Sequence, residues 1–162
     1  MEKMYPVMMN LDRKRVAIIG GGETALRKAK ELAGTGAKIT VISPGIREEL
    51  FKMHDVVWKQ KKFEAQDIKN AHLIFAATDN QAVNAYVCRC AADNQWVHDT
   101  SQNELSNFIA LAGLSQEKLT VALSTSDAGL VLTKELKEEL EKQDRSKSEN
   151  AIEWDAKRRN KK

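Results

Sequence analysis

Short apolar runs alternate with amphipathic segments through the first hundred residues. Five apolar runs predict strands over 15–19, 39–42, 56–58, 73–77 and from residue 96 onward. The first of them is β-branched and nearly continuous, which is typical of a strand covered on both faces. Apolar residues at helical spacing over 25–33, and a helical pattern from about residue 80 to residue 92, lie between these runs. This order predicts an α/β fold, with a twisted parallel sheet and helices on both faces.

The alternation changes after about residue 104. The pattern now predicts two strands over 108–112 and 119–123, joined by a turn over 113–118, and then one helix with Leu132, Leu136 and Leu140 on a single stripe. Two strands and one helix bury too little surface alone, so this region must pack on the first domain or on a second copy of the chain. We therefore expect three parts: 1–104, 105–144 and a polar tail over 145–162.

A glycine motif follows the first predicted strand and opens the first predicted helix. Its residues are Gly20, Gly21, Gly22, Glu23, Thr24 and Ala25, in the pattern G-x-G-x-x-A. The first glycine permits a tight turn, the second lets a pyrophosphate approach the backbone, and the helix N-terminus favours an anion. The motif predicts dinucleotide binding; the alternative is a glycine turn whose helix merely packs closely.

Neighbouring strand ends supply further candidates. An acidic residue that would bond the adenosine ribose is missing after the second strand, where Ser43 and Pro44 stand instead. No arginine stands there to meet a 2′-phosphate, which favours NAD over NADP. Thr78, after the fourth strand, would either bond the cofactor or cap the next helix.

Titratable and hydroxyl side chains mark the later strand ends. His98 and Asp99 form the best titratable pair, and because strand residues alternate, only one of them can point into a given cleft. Either could serve as a general base, or the two could form a surface pair. Thr125 lies where a strand end meets a helix start, which suits an anion site or a simple N-cap. No ligand-spaced Cys/His cluster predicts a metal site.

Length and charge narrow the class of protein. The 162 residues leave no room for the separate substrate domain of an ordinary two-domain dehydrogenase. The whole chain has a net charge of +3, and residues 145–162 alone carry +4, which leaves residues 1–144 at −1. A nearly neutral folded part argues against a nucleic-acid-binding face. The sequence has no membrane-spanning apolar run, no signal-peptide pattern and only two cysteines, so we expect a cytoplasmic protein.

Several blocks together resemble the precorrin-2 dehydrogenase family, which includes the N-terminal modules of siroheme synthases. They are YPVMMNL at 5–11, VAIIGGGETALRKA at 16–29, ITVISP at 39–44, AATDN at 76–80, VN at 83–84, SNFI at 106–109 and LTVALST at 119–125. The blocks cover roughly residues 5–142 in order and spacing, which is far more specific than a glycine motif alone.

The resemblance implies a Rossmann-like NAD-binding domain followed by a small dimerisation region, in a homodimer. It implies that NAD lies over Gly20–Thr24, with its ribose near Ser43 and Pro44 and a further contact near Thr78. The family likewise lacks the ribose-binding acid. Its substrate is the tetrapyrrole precorrin-2, which is oxidised to sirohydrochlorin; some members also insert iron, and whether this chain does so is left open.

The departures from the family pattern lie on the substrate side. Ser101 stands where relatives often carry a catalytic aspartate, and Asp99 lies two residues earlier. Leu111 replaces a usual proline, and Ser126, Asp127, Gly129 and Leu130 replace the usual glycine pair and Ser-Pro. We predict Asp99 as the base, with His98 and Ser101 as rivals, and Asn107 and Thr125 as substrate-binding residues.

The leading hypothesis is therefore an NAD-dependent precorrin-2 dehydrogenase of siroheme biosynthesis. A second hypothesis is a catalytically impaired protein of the same fold that holds NAD or a tetrapyrrole for sensing or delivery. A third is a ligand-gated regulatory NAD module. Turnover of precorrin-2 separates the first hypothesis from the other two, and affinity for a tetrapyrrole separates the second from the third.

Overall fold

The computed structural model describes residues 4–116 and 119–123. The predicted helix of Leu132, Leu136 and Leu140, the candidate Thr125 and the basic tail all lie outside these residues. The described residues fall into two compact units, one spanning Tyr5–Ile109 and one that contains the last two strands.

The first unit is built on a five-stranded, fully parallel sheet with the order β3-β2-β1-β4-β5. Its strands are β1 (Arg15–Ile19), β2 (Lys38–Ser43), β3 (Val56–Gln60), β4 (Leu73–Ala76) and β5 (Trp96–Asp99). Its helices are α1 (Glu23–Leu32), α2 (Glu48–Phe51) and α3 (Gln81–Cys90), and a 3₁₀ turn spans Ala65–Ile68. The α/β, Rossmann-like parallel sheet expected from the sequence is confirmed.

Burial explains why the central strands are apolar at nearly every position. All four residues of β4 and the last four of β1 are buried, because α1 covers one face of the sheet and α3 the other. On the α3 face, Ile74 and Ala76 pack with Val87 and Cys88 of α3. On the α1 face, the Lys28 ammonium lies 5.7 Å from the ring centroid of Phe75. Alternate residues of β4 thus serve opposite layers.

The strand predicted over 108–112 is wrong in its position. The structure begins this strand, β6, at Ala112 and ends it at Gln116, so the turn predicted over 113–118 is also misplaced. Residues 108–111 are apolar for another reason. The ring of Phe108 packs edge-to-face on Phe75 and His98, with centroids 5.6 Å and 5.5 Å apart, so an irregular segment is half-buried here without joining a strand.

The second unit contains an antiparallel pair of strands, β6 and β7 (Leu119–Leu123). In this pair Ala112 lies opposite Leu123, and Gln116 lies opposite Leu119. The domain bounds expected at 104 and 144 remain a prediction. Within the described ranges, none of the helices is both long and apolar enough to cross a membrane.

Candidate functional site

The strand order defines where a ligand would bind. The chain leaves β1 towards α1 on one face, and it leaves the adjacent β4 towards α3 on the other. In open α/β sheets, a crevice opens between two such strands at their carboxyl ends. The glycine motif follows β1 and Thr78 follows β4, so both candidates lie at this crevice.

The glycine loop is shaped by two close backbone approaches. Gly20 has a φ of +123°, and a Cβ at this position would overlap the carbonyl oxygen of Ala77. A Cβ on Gly21 would overlap the carbonyl oxygen of Gly45, whereas a Cβ on Gly22 would meet nothing within 4 Å. Only glycine fits the first two positions, and the third is open.

The start of α1 provides free backbone donors next to this loop. Gly22 is the N-cap residue, and no described side chain caps the helix. The first N–H groups of a helix lack partners within the helix and carry its positive dipole end. An open loop that leads into an uncapped helix suits a pyrophosphate, so the residues present fit a dinucleotide.

The loop after β2 closes one side of the glycine loop. The backbone N–H of Arg47 donates to the carbonyl oxygen of Gly21 over 2.9 Å, and the Arg47 guanidinium lies 2.8 Å from the Glu23 carboxylate. Sequence reasoning considered only the residues directly after β2 and missed Arg47. The signal available was a basic residue a few positions further along the same loop.

Ser43 and Pro44, the residues predicted to lie near the ribose, end β2 beside this loop. The carbonyl oxygen of Ser43 accepts a hydrogen bond from Nε1 of Trp58 over 3.1 Å, whereas its hydroxyl is buried without a partner among the described residues. That hydroxyl lies 2.7 Å from where a Cβ on Gly21 would stand. Pro44 is exposed. The Ser43 hydroxyl is thus buried next to Gly21 of the glycine loop.

Asn84 of α3 connects the ends of β4 and β5. Its Oδ1 accepts from both the hydroxyl and the backbone N–H of Thr78, over 2.6 Å and 3.1 Å. Its Nδ2 donates to the carbonyl oxygen of Thr78 over 3.1 Å and to Oγ of Ser101 over 3.3 Å. Asn84 is completely buried, and sequence reasoning did not include it among the site residues. The signal was an amide side chain on an otherwise apolar helix face.

Asp99 lies beneath Ser101 on the α3 face of the sheet. Its Oδ1 accepts from the backbone N–H of Ser101 over 2.9 Å and from the Ser101 hydroxyl over 2.6 Å. Its Oδ2 is buried without a partner in the described part of the chain, and the whole residue is 0% exposed. Burial, together with the negative charge of Asp99, raises the pKa of the Cys88 thiol to about 11, so that neighbour stays protonated at neutral pH.

His98 faces the opposite side of the sheet from Asp99. Its ring packs against Phe75 and Phe108, with centroids 6.0 Å and 5.5 Å away. Burial lowers the pKa of His98 to about 4, with a further lowering by the nearby Lys28 ammonium. The imidazole is therefore neutral at neutral pH and is buried in an aromatic environment. The structure does not bring the two residues of this pair together in one cleft.

The remaining candidates divide between the described and undescribed parts of the chain. Asn107 uses its amide against β5: Oδ1 accepts from the N–H of Val97, and Nδ2 donates to the carbonyl oxygen of Gln95, both over 2.7 Å. Its predicted contact with substrate stays a prediction. Among residues 4–116 and 119–123, no three His, Cys, Asp or Glu side chains cluster as metal ligands would.

The fold and the glycine loop define a Rossmann-like, dinucleotide-binding α/β protein. The family described as "Putative NAD(P)-binding" matches residues 7–112. The chain is 38% identical over 142 residues to the precorrin-2 dehydrogenase of Bacillus subtilis (strain 168), covering 86% of this chain and 88% of that protein. It belongs to the precorrin-2 dehydrogenase family.

Two further similarities agree with this membership. The siroheme synthase of Tolumonas auensis is 35% identical over 140 residues, which cover 84% of this chain but only 30% of that longer protein. The solved structure of SirC, a precorrin-2 dehydrogenase, superposes with a TM-score of 0.77 at 34% identity, covering 86% of this chain and 71% of that one. The match to dehydrogenases thus extends well beyond the glycine loop.

Proposed function

We propose that this protein is an NAD-dependent precorrin-2 dehydrogenase, which oxidises precorrin-2 to sirohydrochlorin in siroheme biosynthesis. The observation that carries the proposal is the extent of similarity: the chain covers 88% of a precorrin-2 dehydrogenase that is 38% identical to it. The uncapped helix and the glycine loop, which has no room for a Cβ at its first two positions, support a nicotinamide cofactor at this site.

The residues of the glycine loop would hold the cofactor. Gly20, Gly21 and Gly22 would present backbone to the pyrophosphate, and the first N–H groups of α1, at Glu23 and Thr24, would donate to it. The carboxylate of Glu23 forms an ion pair with the guanidinium of Arg47 over 2.8 Å. The one arginine of the loop after β2 is therefore already paired and is not free to bind a 2′-phosphate. This pairing supports NAD rather than NADP. Ser43 and Pro44 would lie near the ribose, and Thr78 would make a further contact with the cofactor.

The reaction removes a hydride and a proton from the macrocycle. When bound, NAD supplies the hydride acceptor. The chain must supply a base for the proton, and we propose that Asp99 provides the basic group. The ring of His98 packs against Phe75 and Phe108 on the opposite face of the sheet from Asp99, so it makes no contact with the Asp99–Ser101 pair in the hydrogen bonds described above. Ser101 stands closer to solvent than Asp99.

The proposal extends to assembly and location. We propose a homodimer in the cytoplasm, with Asn107 and Thr125 among the residues that bind substrate carboxylates. The support is that residues 105–144 form too small a unit, by their sequence pattern, to bury their own apolar surface. A partner chain would cover that surface and complete the walls of the substrate site.

Incubation of the purified protein with precorrin-2 and NAD, without oxygen, tests the function. We expect NADH and sirohydrochlorin absorbance to rise together in equal amounts, and a parallel assay with NADP to give a lower kcat/KM. NAD or tetrapyrrole binding with no turnover would instead identify a sensing or delivery protein. The same reaction with Fe²⁺ and added sirohydrochlorin determines whether the chain also inserts iron.

A further inference from the structure

We propose that Ser101 is the group that takes the proton from the substrate, and that the buried Asp99 acts through it as the final proton acceptor. This inference rests on the proposed dehydrogenase function and deepens it. The reason for it is that the predicted base is not accessible to a substrate. Asp99 is 0% exposed, so a substrate cannot reach its carboxylate, whereas Ser101 is exposed at the end of β5.

The geometry of the pair fits a relay. The Ser101 hydroxyl donates to Oδ1 of Asp99 over 2.6 Å, which is within the short range of an O–H···O⁻ hydrogen bond. The backbone N–H of Ser101 donates to the same oxygen over 2.9 Å, and the two bonds together fix the serine over the carboxylate. A hydroxyl held in this way has its proton directed at the carboxylate rather than at the solvent.

The second contact of Ser101 leaves one position open for the substrate. A serine oxygen has one proton and two lone pairs. The hydroxyl proton is donated in a hydrogen bond to Oδ1 of Asp99, and Nδ2 of Asn84 donates to one lone pair over 3.3 Å. The remaining lone pair is available to a C–H group that approaches the exposed side of Ser101. Asn84 also holds Thr78, which lies at the crevice, so the relay is tied to the proposed cofactor site.

The unpartnered oxygen of Asp99 gives an independent reason to assign it a role. Oδ2 is buried without a hydrogen-bond partner among the described residues. Buried polar atoms without partners are rare and cost free energy, so they call for an explanation such as catalysis.

The substrate loses one proton through the Ser101 hydroxyl and one hydride to NAD. A carbon–hydrogen bond of the substrate breaks, and its proton bonds to Oγ of Ser101 while the hydroxyl's own proton moves to Oδ1 of Asp99. The electron pair of that bond enters the new double bond of the macrocycle, and a hydride leaves the substrate with its own pair for NAD. Asp99 afterwards returns its proton through Ser101 to solvent. Two hydrogens thus leave the substrate, and NADH and one proton are formed.

Relocating the charge tests the relay most directly. We expect Asp99→Asn and Ser101→Ala each to lower kcat about 100-fold or more, since general-base catalysis contributes roughly 10² to 10⁴. The double variant Asp99→Asn with Ser101→Ala should be no slower than either single variant within about threefold, because the two groups act as a unit. Asp99→Asn with Ser101→Asp should recover kcat at least tenfold over Asp99→Asn alone.

Binding and folding controls accompany these assays. NAD affinity should stay within about twofold in every variant, and Asn103→Ala, on the exposed turn just beyond, should keep kcat within about twofold. If Asp99→Asn does not fold, Ser101→Thr, which keeps a hydroxyl, should retain at least tenfold more activity than Ser101→Ala.

Several outcomes would overturn the relay alone. They are a wild-type kcat in Ser101→Ala, a wild-type kcat in Asp99→Asn, multiplicative losses in the double variant, and no recovery by a folded, NAD-binding Asp99→Asn with Ser101→Asp. In each of these cases the unaltered chain would still convert precorrin-2. Absence of turnover by the unaltered chain would overturn the proposed function and the relay with it.

Discussion

The glycine loop after β1 and the polar cluster at the end of β5, formed by His98, Asp99 and Ser101, both lie at the carboxyl edge of the sheet. The first is built from backbone atoms and the second from side chains. The loop is made of backbone: Gly20 and Gly21 serve by having no side chain. The cluster is made of side chains, and its function depends on which face of the sheet each one occupies. His98 and Asp99 are adjacent in sequence but face opposite layers.

This difference explains why the two regions tolerate change differently. A backbone site is fixed by sterics, so one added methyl group blocks it. In a site built from side chains, a neighbouring residue can take over a catalytic role, provided that the two side chains are in contact. The pair of Ser101 and Asp99, joined by a 2.6 Å hydrogen bond, has the contact that such a transfer requires.

The largest effect should come from adding a methyl group to the glycine loop. Gly20→Ala places a Cβ against the carbonyl oxygen of Ala77 at a φ of +123°, so we expect the free energy of unfolding to fall by roughly 3 kcal/mol, with loss of NAD binding. Gly22→Ala, two residues away, meets open space and should cost less than about 1 kcal/mol.

Urea unfolding and NAD titration of both variants measure this contrast. Equal losses at the two positions would show that the loop is not held by the approach of Gly20 to β4. Strand β4 would then not define the crevice.

A smaller, pH-dependent effect should come from His98. Its pKa is about 4 in the folded chain and near 6.5 when unfolded, so between these values the unfolded chain binds the proton and the folded chain does not. Stability therefore falls as the pH falls through this window. From pH 7 to pH 5, this residue alone should reduce the free energy of unfolding by about 2 kcal/mol.

The variant His98→Asn removes that contribution and provides the comparison. Chemical denaturation at pH 7 and pH 5 should show a smaller loss of stability in the variant than in the unaltered chain. His54→Asn, the same substitution at an exposed position, controls for the effect of replacing a histidine by asparagine. An identical pH dependence in His98→Asn would mean that the imidazole is not buried in neutral form.

The smallest effect concerns the cation beside the glycine loop. Glu23→Gln releases Arg47 from an exposed ion pair, and such pairs contribute about 0.2–1 kcal/mol. We expect the kcat/KM for NADP relative to NAD to rise about two- to fivefold, because the freed guanidinium can meet a 2′-phosphate. Glu49→Gln, which breaks the similarly exposed pair with Lys30, should leave the ratio unchanged. A fall in the ratio for Glu23→Gln would contradict the role given to Arg47.

Much of the fold could be predicted because its signals are local. The strands β1 to β5 and the helices α1 and α3 were predicted from apolar runs and helical spacing. The one-turn helix α2 and the 3₁₀ turn at Ala65–Ile68 were not, since four residues are too short to show a period. The strand predicted over 108–112 was misplaced for a different reason. Phe108 is apolar because it packs against Phe75, and a contact between distant residues leaves no local pattern in the sequence.

The site was predictable to the extent that residue type alone decides its chemistry. The glycine pattern sufficed for the loop, because absence of a side chain is visible in a sequence. Asn84 was missed because its role depends on contacts with Thr78 and Ser101, which are brought to it by two different strands. For Asp99 the sequence could offer the residue as a base but not its complete burial.

The strand order also sets the order in which the chain can fold. β1 lies at the centre of the sheet, where Val16 pairs with Ile39 on one side and with Leu73 on the other. During synthesis the first edge of β1 therefore finds its partner early, and the second edge stays open until the strand that begins at Leu73 emerges. An apolar strand with an open edge is a template for pairing between chains. We therefore expect refolding at high chain concentration to lose more protein to aggregation than refolding at low concentration, even though the finished sheet pairs both edges of β1.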